Sequence, residues 1–241
     1  MTINRRIKGL VRQVCPPVLW TAARLLRDAV KAGRPARTPD GSGNAQDLDV
    51  YWDPEMAAIL ETWGEGNVWN EIQLLMHPHA GKALDIACGT GKTMQMLAPY
   101  AALELHGCDI SDLLIGKAIE RGIPRDRLRI IDATRMEYAD REFEFAYSIG
   151  SLEHFTEDGM VEAIRESARV VRRTSFHMVP VSRSGRDEGW MKTQQSFFNN
   201  SVPWWLQKYR AAYPHVVVLD SAWNDTISVG KWFACYKDAP A

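Results

Sequence analysis

From Lys82 to about residue 180, short apolar runs alternate with helical stretches, and this alternation limits the possible folds more than any other feature. Five runs have the length and composition of buried strands, at residues 82–87, 103–108, 127–131, 143–149 and 174–179. The segments between them have helical patterns, at about 91–98, 112–121 and 157–172. Strands that alternate with helices indicate a mostly parallel sheet with helices on both faces. The sequence therefore predicts a doubly wound α/β fold.

The end of the chain adds a hairpin to this sheet. A helix is predicted near 202–212, after a loop of Gly, Ser and charged residues at 182–193. Two more strands follow at about 215–222 and 230–237, joined by only about seven residues, whereas a parallel crossover needs about a dozen or more. These strands must pair antiparallel. We therefore expect a mostly parallel, seven-stranded sheet with an antiparallel terminal hairpin.

Residues 1–49 differ in composition from the rest of the chain. A basic helical arm occupies residues 1–32, where Pro16-Pro17 must break or kink the helix, and a polar linker follows. We expect one folded domain at residues 50–241. Its first part, residues 50–80, contains two helical segments and precedes the first strand.

Charge divides the chain at nearly the same place. Residues 1–37 carry nine Lys or Arg and one acidic residue, Asp28, whereas residues 38–241 carry 20 basic and 29 acidic residues. An acidic body is a poor general binder of nucleic acid, so we expect no nucleic-acid partner. The basic arm has two interpretations: it rests on an anionic membrane surface, or it forms a solvated or dimer-packing helix. The oligomeric state is left open.

The four cysteines are scattered and form no CxxC pair; they are Cys15, Cys88, Cys108 and Cys235. Such cysteines are typical of reduced thiols, and neither of a disulfide framework nor of a zinc site. No apolar run approaches the roughly 18 to 20 residues that cross a bilayer. We expect a cytoplasmic protein, lying at the inner face of the membrane if the arm binds lipid.

The turn after the first predicted strand carries the strongest binding signal. It reads LDIACGTG over residues 84–91, where a strand ends and a helix begins. Small residues at Ala87, Gly89 and Gly91 let a ligand approach the backbone, and the free N–H groups of the helix favour electron-rich atoms. The Asp85 carboxylate would repel a pyrophosphate but would suit a cationic ligand, such as a sulfonium nucleoside with an ammonium group. Asp85 and a missing third glycine therefore argue against an NAD-dependent oxidoreductase.

Acidic residues also end the next two predicted strands. Asp109 stands 20 residues after Gly89, the interval at which an acidic residue accepts hydrogen bonds from ribose hydroxyls. Asp132-Ala133 ends the third strand, where a carboxylate can accept from an adenine amino group. The acids at successive strand ends therefore predict one nucleoside site.

These motifs, with SIGSLEHF at residues 148–155, resemble those of class I S-adenosylmethionine-dependent methyltransferases over about residues 80–180. The resemblance implies S-adenosylmethionine as cofactor and S-adenosylhomocysteine as product. Asp85 would lie near the methionine ammonium, and Ala87, Gly89 and Gly91 would line the cofactor loop. Asp109 would bind ribose, Asp132 with Ala133 would hold adenine, and Ile149 with Gly150 would border the methionine. The full set of cofactor-binding candidates is Asp85, Ala87, Gly89, Gly91, Asp109, Ile110, Asp132, Ala133, Ile149 and Gly150. Ala87 stands where the family often has its first glycine, and we expect alanine to cost little there.

His154 is the candidate general base for a hydroxyl nucleophile. It follows the fourth strand at the mouth of the predicted site, and an imidazole titrates near neutral pH. Glu153 would orient it; the alternative is a structural Glu-His pair that caps the next helix. Some relatives bind a metal ion with a Glu-x-x-Glu-His pattern, but Gly150 occupies its first position here, so we expect no metal.

The acceptor site is expected beneath two covering segments. In this fold the segment before the first strand and the loop after the fifth normally cover the active site, so residues 50–80 would form a helical lid. His177, on the fifth strand, either faces the acceptor or fills the sheet. The candidate acceptor-binding residues are Tyr51, Trp52, Trp69, Asn70, His177, Arg183, Arg186, Trp190 and Gln194.

The flanks of the chain bear on the acceptor. They are similar to methyltransferases of bacterial surface-polysaccharide gene clusters in RRIKGLVRQVCPPVLWTAARLLRD, YWDPEMAAILETWGEGNVWNEIQLLM and GKWFACYK. This resemblance implies O-methylation of a sugar, or of a sugar-linked group, on a nucleotide-linked or lipid-linked glycan. Two alternatives stay open. A small-molecule O- or N-methyltransferase of secondary metabolism would have an apolar, aromatic acceptor pocket, and a non-catalytic module would bind the cofactor without turnover.

Overall fold

A computed structural model describes Gln46 and residues 48–193 and 195–239. The predicted arm, most of the linker and Gln194 lie outside these residues, so the expectations for them stay predictions. In the part of the chain that is described, no helix has the length and apolar character needed to cross a membrane.

A seven-stranded sheet forms the centre of the folded domain. The strands of the described chain are β1 (Gly81–Ile86), β2 (Leu103–Asp109), β3 (Leu128–Ile130), β4 (Phe143–Ile149), β5 (Val171–Ser182), β6 (Trp190–Met191), β7 (Phe197–Phe198), β8 (His215–Asn224) and β9 (Ser228–Tyr236). The sheet has the order β3-β2-β1-β4-β5-β9-β8. Strands β1 to β5 pair in parallel, and β9 pairs antiparallel with β5 and β8. The predicted doubly wound, mostly parallel sheet with an antiparallel hairpin is confirmed.

Helices cover both faces of this sheet. They are α1 (Pro54–Ile59), α2 (Val68–Met76), α3 (Lys92–Leu97), α4 (Asp112–Glu120), α5 (Glu157–Val170) and α6 (Val202–Arg210). Several begin at side chains that accept from the first turn's N–H groups, which stabilises a helix start: Asp53, Ser111, Thr156 and Ser201. Short 3-10 helices lie at Leu48–Trp52, Arg125–Arg127 and Leu152–His154.

The two faces can be followed along β9, because side chains alternate between the faces of a strand. Trp232 packs into a cluster with residues of α2 and α3, whereas its neighbour Phe233 packs into a second cluster with residues of α5 and α6. The sheet therefore has a packed core on each side, which leaves its strand ends as the place for a ligand.

Two details differ from the sequence prediction. β5 covers Val171–Ser182 rather than 174–179, because it pairs with β9 over most of its length and follows α5 without a loop. β6 and β7 form a small separate hairpin near the predicted loop. Strands of two residues carry too little periodicity to be predicted from sequence.

Candidate functional site

The candidate site lies at the carboxyl ends of β1, β2 and β4. The chain runs outward from β1 to β3 and then returns to β4 on the other side of β1, so the strand order reverses there. Such a switch point leaves a crevice in which doubly wound folds bind ligands. All predicted cofactor residues lie at or just after the carboxyl ends of β1 to β4, and the structure therefore brings them to one edge.

The loop after β1 passes through three left-handed backbone positions: Ala87 (φ 58°), Gly89 (φ 54°) and Gly91 (φ 71°). A Cβ on Gly91 would lie 2.9 Å from the Cβ of Ala118 in α4, so glycine lets the loop pack closely on that helix. We expected alanine to cost little at Ala87. For a residue that has a Cβ, this left-handed conformation instead destabilises the folded state by about 1–2 kcal/mol.

Asp85 is buried at the end of β1, between Gly107 of β2 and Tyr147 of β4. Its Oδ2 atom accepts no hydrogen bond from any residue that the structure describes. Burial raises the pKa of Asp85 well above its ordinary value, against the effect of the nearby Tyr147 hydroxyl, and the Asp109 carboxylate raises it further. A buried carboxylate with an unpaired oxygen is unfavourable, so a positively charged group fits this position.

Asp109 ends β2 and holds the loop after β1 in place. Its Oδ2 accepts from the Gly89 N–H at 2.9 Å, and its Oδ1 accepts from the Ser111 N–H at 2.9 Å. A carboxylate can accept about four hydrogen bonds, so each oxygen can accept another from a ligand hydroxyl. Burial raises the pKa of Asp109 to about 6, against the effect of three backbone N–H groups, those of Ser111, Gly89 and Ile110.

Asp132 and Ala133 follow β3 at the same edge. The Oδ1 of Asp132 accepts from the N–H of Thr134 at 2.9 Å and from its hydroxyl at 2.7 Å, which fixes the carboxylate at the strand end. Ala133 is buried, and Ile110, after β2, is half-buried. Their positions allow the predicted contacts with adenine and ribose, and those roles stay predictions.

The 3-10 helix Leu48–Trp52 is attached beside this edge. The Ser111 hydroxyl donates to the Tyr51 carbonyl at 2.6 Å, and the Trp52 indole N–H donates to Asp112 at 2.7 Å. The Gln195 side chain donates to the Tyr51 hydroxyl at 3.1 Å. Tyr51 and Trp52 therefore lie against the start of α4, on the nucleoside side of the edge.

A second attachment joins the lid segment to the cofactor loop. Arg121, which follows α4, pairs with Glu61 through its guanidinium and donates to the Thr90 carbonyl at 2.8 Å. Leu60 lies beside the same loop, because a Cβ on Gly89 would stand 3.4 Å from its Cδ1. Sequence reasoning missed the Glu61–Arg121 pair, since 60 residues separate its members.

A cavity of about 250 Å³ opens beside Gly150, at the end of β4. Its walls are mostly apolar and come from the lid segment, β5 and the segments after it. The apolar residues are Met56, Ile59, Leu60, Trp63, Met178, Pro180, Phe197 and Trp223. The polar ones are Glu153, His154, Gln195 and Asp225. Leu60 lines this acceptor pocket and also touches the cofactor loop, so the two regions adjoin.

Two indole rings form one wall of the acceptor pocket. The ring centroids of Trp63 and Trp223 lie 6.5 Å apart at 82°, so the rings meet edge to face. Gly150 has φ 61°, and a Cβ there would lie 2.9 Å from Trp63. Glycine therefore provides both the turn after β4 and the room for the indole.

Glu71 holds Trp223 in place from a distance. The Glu71 carboxylate accepts from the Ser221 hydroxyl at 2.7 Å, the Ala222 N–H at 2.6 Å and the Trp232 indole at 2.7 Å. The register of β8 against β9 shifts between Asp220 and Asn224, at the same place. Glu71 thus fixes the irregular part of β8 that carries Trp223. No local pattern reveals this role, because the partners are 150 residues away or more.

Glu153 and His154 stand together in the pocket, on the 3-10 helix Leu152–His154. The Glu153 side chain is buried, and burial raises its pKa to about 8. The Nδ1 of His154 donates to the Ser196 carbonyl at 2.9 Å, and its Nε2 lies 3.6 Å from Glu153 Oε1. The pair does not cap the next helix, because the Thr156 side chain does so by accepting from the Gly159 N–H.

Several predicted acceptor residues do not line the pocket. Trp69 is buried in the core between α2 and α3, and Asn70 is exposed on α2. Arg183 donates to the Asp225 carbonyl at 2.6 Å. Trp190 packs edge-on against Phe198, and Arg186 is exposed. The sequence indicated which segments cover the site, but not which of their side chains point inward.

His177 fills the sheet rather than facing the acceptor. It lies on the face of β5 opposite to Met178 and Pro180, which line the pocket. Its Nδ1 lies 2.8 Å from the Ser148 hydroxyl, and its ring stacks on Tyr209. Burial lowers the pKa of His177 to about 3, so it stays neutral in the core.

Comparisons with known proteins agree with the site. Residues 83–174, less than half of the chain, match the family model described as a methyltransferase domain. This match confirms a methyltransferase domain in the part of the chain where the motifs were found. The curated O-methyltransferase resE of Aspergillus sclerotiorum is 30% identical over 131 residues, which cover 51% of this chain and 48% of that protein.

Two further comparisons bear on the acceptor and on the fold. The tRNA (carboxymethyluridine(34)-5-O)-methyltransferase of Saccharomyces cerevisiae is 31% identical over 147 residues, covering 57% of this chain and 49% of that protein. The chain thus spans about half the length of these curated relatives. The solved 1,6-didemethyltoxoflavin-N1-methyltransferase of Burkholderia thailandensis has a TM-score of 0.60 and 16% identity, over 79% of this chain and 85% of that one. The similarity shows a shared fold.

Proposed function

We propose that this protein is an S-adenosylmethionine-dependent methyltransferase whose acceptor is a small molecule with a flat, apolar body. The observation that carries the proposal is an aromatic pocket beside Gly150 that adjoins an edge with two buried carboxylates, Asp85 and Asp109. The methyltransferase domain at residues 83–174 supports the reaction class, and resE supports oxygen as the acceptor atom.

The residues at the edge fit the cofactor chemically. The Oδ2 atom of Asp85, which accepts no hydrogen bond from the described residues, suits the methionine ammonium, and the remaining acceptor positions of Asp109 suit the ribose hydroxyls. Asp132 and Ala133 stand where the adenine would lie. When bound, S-adenosylmethionine supplies a methyl group on a sulfonium, which is already activated for displacement. The solved Burkholderia methyltransferase has S-adenosylhomocysteine bound, which supports the same cofactor here.

The protein then has to align the acceptor with that methyl group. Methyl transfer is an in-line displacement, and correct alignment alone can lower the barrier by about 7–11 kcal/mol. Trp63 and Trp223 offer rigid faces for a flat molecule, and the apolar walls exclude water from the reacting atoms. Gly150 lies where the pocket meets the methionine end of the cofactor site.

The pocket argues for this acceptor class over the two others. A sugar presents hydroxyls all round and needs many hydrogen-bonding partners, whereas eight of the pocket residues are apolar. The predicted acceptor-binding candidates Arg183 and Trp190 lie outside it. The yeast relative is named for tRNA, but the acidic excess of residues 38–241 argues against a nucleic-acid acceptor. Glycan methylation remains the second candidate, from the similarity of the flanks.

Turnover on two panels of acceptors tests the proposal. Purified protein is incubated with S-adenosylmethionine and either hydroxylated bicyclic aromatics, such as 1-naphthol, or nucleotide sugars. S-adenosylhomocysteine and the methylated product are measured by mass spectrometry. We expect methyl ethers in the aromatic panel. Products only in the nucleotide-sugar panel would support glycan methylation, and cofactor binding without any turnover would support a non-catalytic module.

A further inference from the structure

We infer that Glu153, rather than His154, accepts the proton of the acceptor, and that the acceptor carries a weakly acidic hydroxyl such as a phenol or an enol. This inference rests on the proposed methyltransferase function and assigns the acceptor group. It reverses the roles predicted from sequence, in which His154 was the base and Glu153 oriented it.

The position of Glu153 is the first observation. Glu153 lines the acceptor pocket, yet its side chain is buried with only 4% of its surface exposed. Its Oε2 atom accepts no hydrogen bond from any of the described residues. A buried carboxyl group with one unpaired oxygen is unfavourable. An acceptor hydroxyl that donates to Oε2 supplies the missing hydrogen bond.

Among the described residues, the groups around Glu153 include no Lys or Arg that would compensate its charge. His154 faces it at 3.6 Å from the same 3-10 helix, and the Tyr209 ring of α6 lies close enough to be affected by its charge. Asp225, from the turn between β8 and β9, lines the same pocket. No Lys or Arg belongs to the described lining residues. Burial without a cation explains why the pKa of Glu153 is raised to about 8.

This pKa suits a hydroxyl acceptor. Phenols titrate near pH 10 in water, so a carboxylate with a pKa of about 8 is a far better proton acceptor for them than an ordinary glutamate. An amine nucleophile often needs no base, and the strength of the base would then bring no advantage. The raised pKa of Glu153 therefore favours a hydroxyl rather than an amine as the acceptor group.

His154 has a positioning role in this arrangement. Because a carbonyl oxygen can only accept, the hydrogen bond to Ser196 places a proton on Nδ1. The Nε2 atom of a neutral ring then faces Glu153 with a lone pair. At 3.6 Å the contact is too long for a hydrogen bond, and it becomes one when protonated Glu153 turns toward the ring.

In the proposed step the acceptor oxygen exchanges its proton for the methyl group. The acceptor O–H bond breaks, and its proton passes to the ionised carboxylate of Glu153. The acceptor oxygen forms a bond to the methyl carbon, the carbon–sulfur bond breaks, and its electron pair stays on sulfur. The products are a methyl ether, S-adenosylhomocysteine and protonated Glu153, which later releases the proton to solvent.

The test compares Glu153→Gln, His154→Gln and a matched control, Glu162→Gln, whose side chain is half exposed on α5. Affinity for S-adenosylhomocysteine is measured first by calorimetry, and turnover is then followed for 1-naphthol and 1-aminonaphthalene across pH 6–9. Loss of a general base lowers the rate roughly 100- to 10,000-fold. We expect that loss in Glu153→Gln with the naphthol, a smaller loss in His154→Gln, and full turnover in Glu162→Gln.

A second measurement does not depend on turnover. In protein labelled with ¹³C at the glutamate carboxyl carbon, we expect one resonance that titrates near pH 8 in the wild type and is missing in Glu153→Gln. Unchanged naphthol turnover in Glu153→Gln, methylation of the amine alone, or the absence of that resonance would overturn the assignment. Lack of affinity for S-adenosylhomocysteine would overturn the proposed function itself.

Discussion

The nucleoside edge and the acceptor pocket are built in different ways. At the edge, Asp109 reaches back only 20 residues to hold Gly89, and each functional residue stands at the end of a strand. Behind the pocket, Glu71 accepts a hydrogen bond from Trp232 across 161 residues, and Gln195, which lines the pocket, donates to Tyr51 across 144. Local motifs thus form the part to which we assign the cofactor, and long-range packing forms the part to which we assign the acceptor. The nucleoside edge and the acceptor pocket, the two halves of the site, should therefore respond separately to mutation.

Among the changes that leave Glu153 in place, removal of the pocket's aromatic wall should have the largest effect on acceptor turnover. Trp223→Ala opens the pocket and removes a rigid aromatic surface, and such positions contribute about 2 kcal/mol or more to binding, or about 30-fold in kcat/KM. Affinity for S-adenosylhomocysteine should stay unchanged. Trp190→Ala, which alters a tryptophan outside the pocket, is the matched control in steady-state kinetics. An equal loss of acceptor kcat/KM in both variants would remove the distinction between the two tryptophans.

Glu71→Ala should weaken the pocket from outside it. The variant leaves the buried Trp232 indole and the Ala222 N–H without their acceptor, and hydrogen bonds to charged groups contribute about 1.5–3 kcal/mol. Urea denaturation should show a loss of that size in the free energy of unfolding. KM for the acceptor should rise while cofactor affinity is kept. Glu65→Ala, an exposed change in the same segment, should alter neither, and a change in cofactor affinity in Glu71→Ala would show that the halves are coupled.

The pH dependence of stability should carry the signature of Glu153. Its folded-state pKa of about 8 lies above the ordinary 4.5, so the folded protein binds a proton that the unfolded chain has released. Stability is therefore lost as the pH rises between these values. Each pKa unit corresponds to about 1.4 kcal/mol, so we expect a loss of at least that size between pH 5 and pH 8.5. Denaturation curves of Glu153→Gln should show a flatter profile, and parallel profiles would contradict the raised pKa.

The smallest effect is expected at Ala87, on the nucleoside side. Glycine relieves the left-handed strain at φ 58° but adds freedom to the unfolded chain, so Ala87→Gly should raise stability by less than about 1 kcal/mol. Thermal unfolding of the two proteins measures the difference. Destabilisation by more than 1 kcal/mol would mean that the alanine methyl group makes a contact that outweighs the strain.

The same difference explains what the sequence could predict. The mostly parallel sheet, its antiparallel hairpin and the residues Asp85, Asp109 and Gly150 follow from periodicity and from motifs at strand ends. Glu71, Trp63 and Trp223 carry no local signal, because their roles depend on a bulge in β8 and on contacts across the whole chain. Trp69 and Trp190 were misjudged for the same reason. A tryptophan in a covering segment can point into the core or into the site, and composition does not distinguish these directions.

Calorimetric titration of S-adenosylhomocysteine into the wild type and Asp85→Asn tests most directly whether the buried carboxylate of Asp85 holds the ammonium group of the cofactor. Asparagine keeps the shape of the side chain and removes its charge, so the fold should survive. We predict measurable binding to the wild type and an affinity at least about tenfold lower in the variant, a difference of about 1.4 kcal/mol. No binding to the wild type, or equal affinity in both proteins, would contradict the claim.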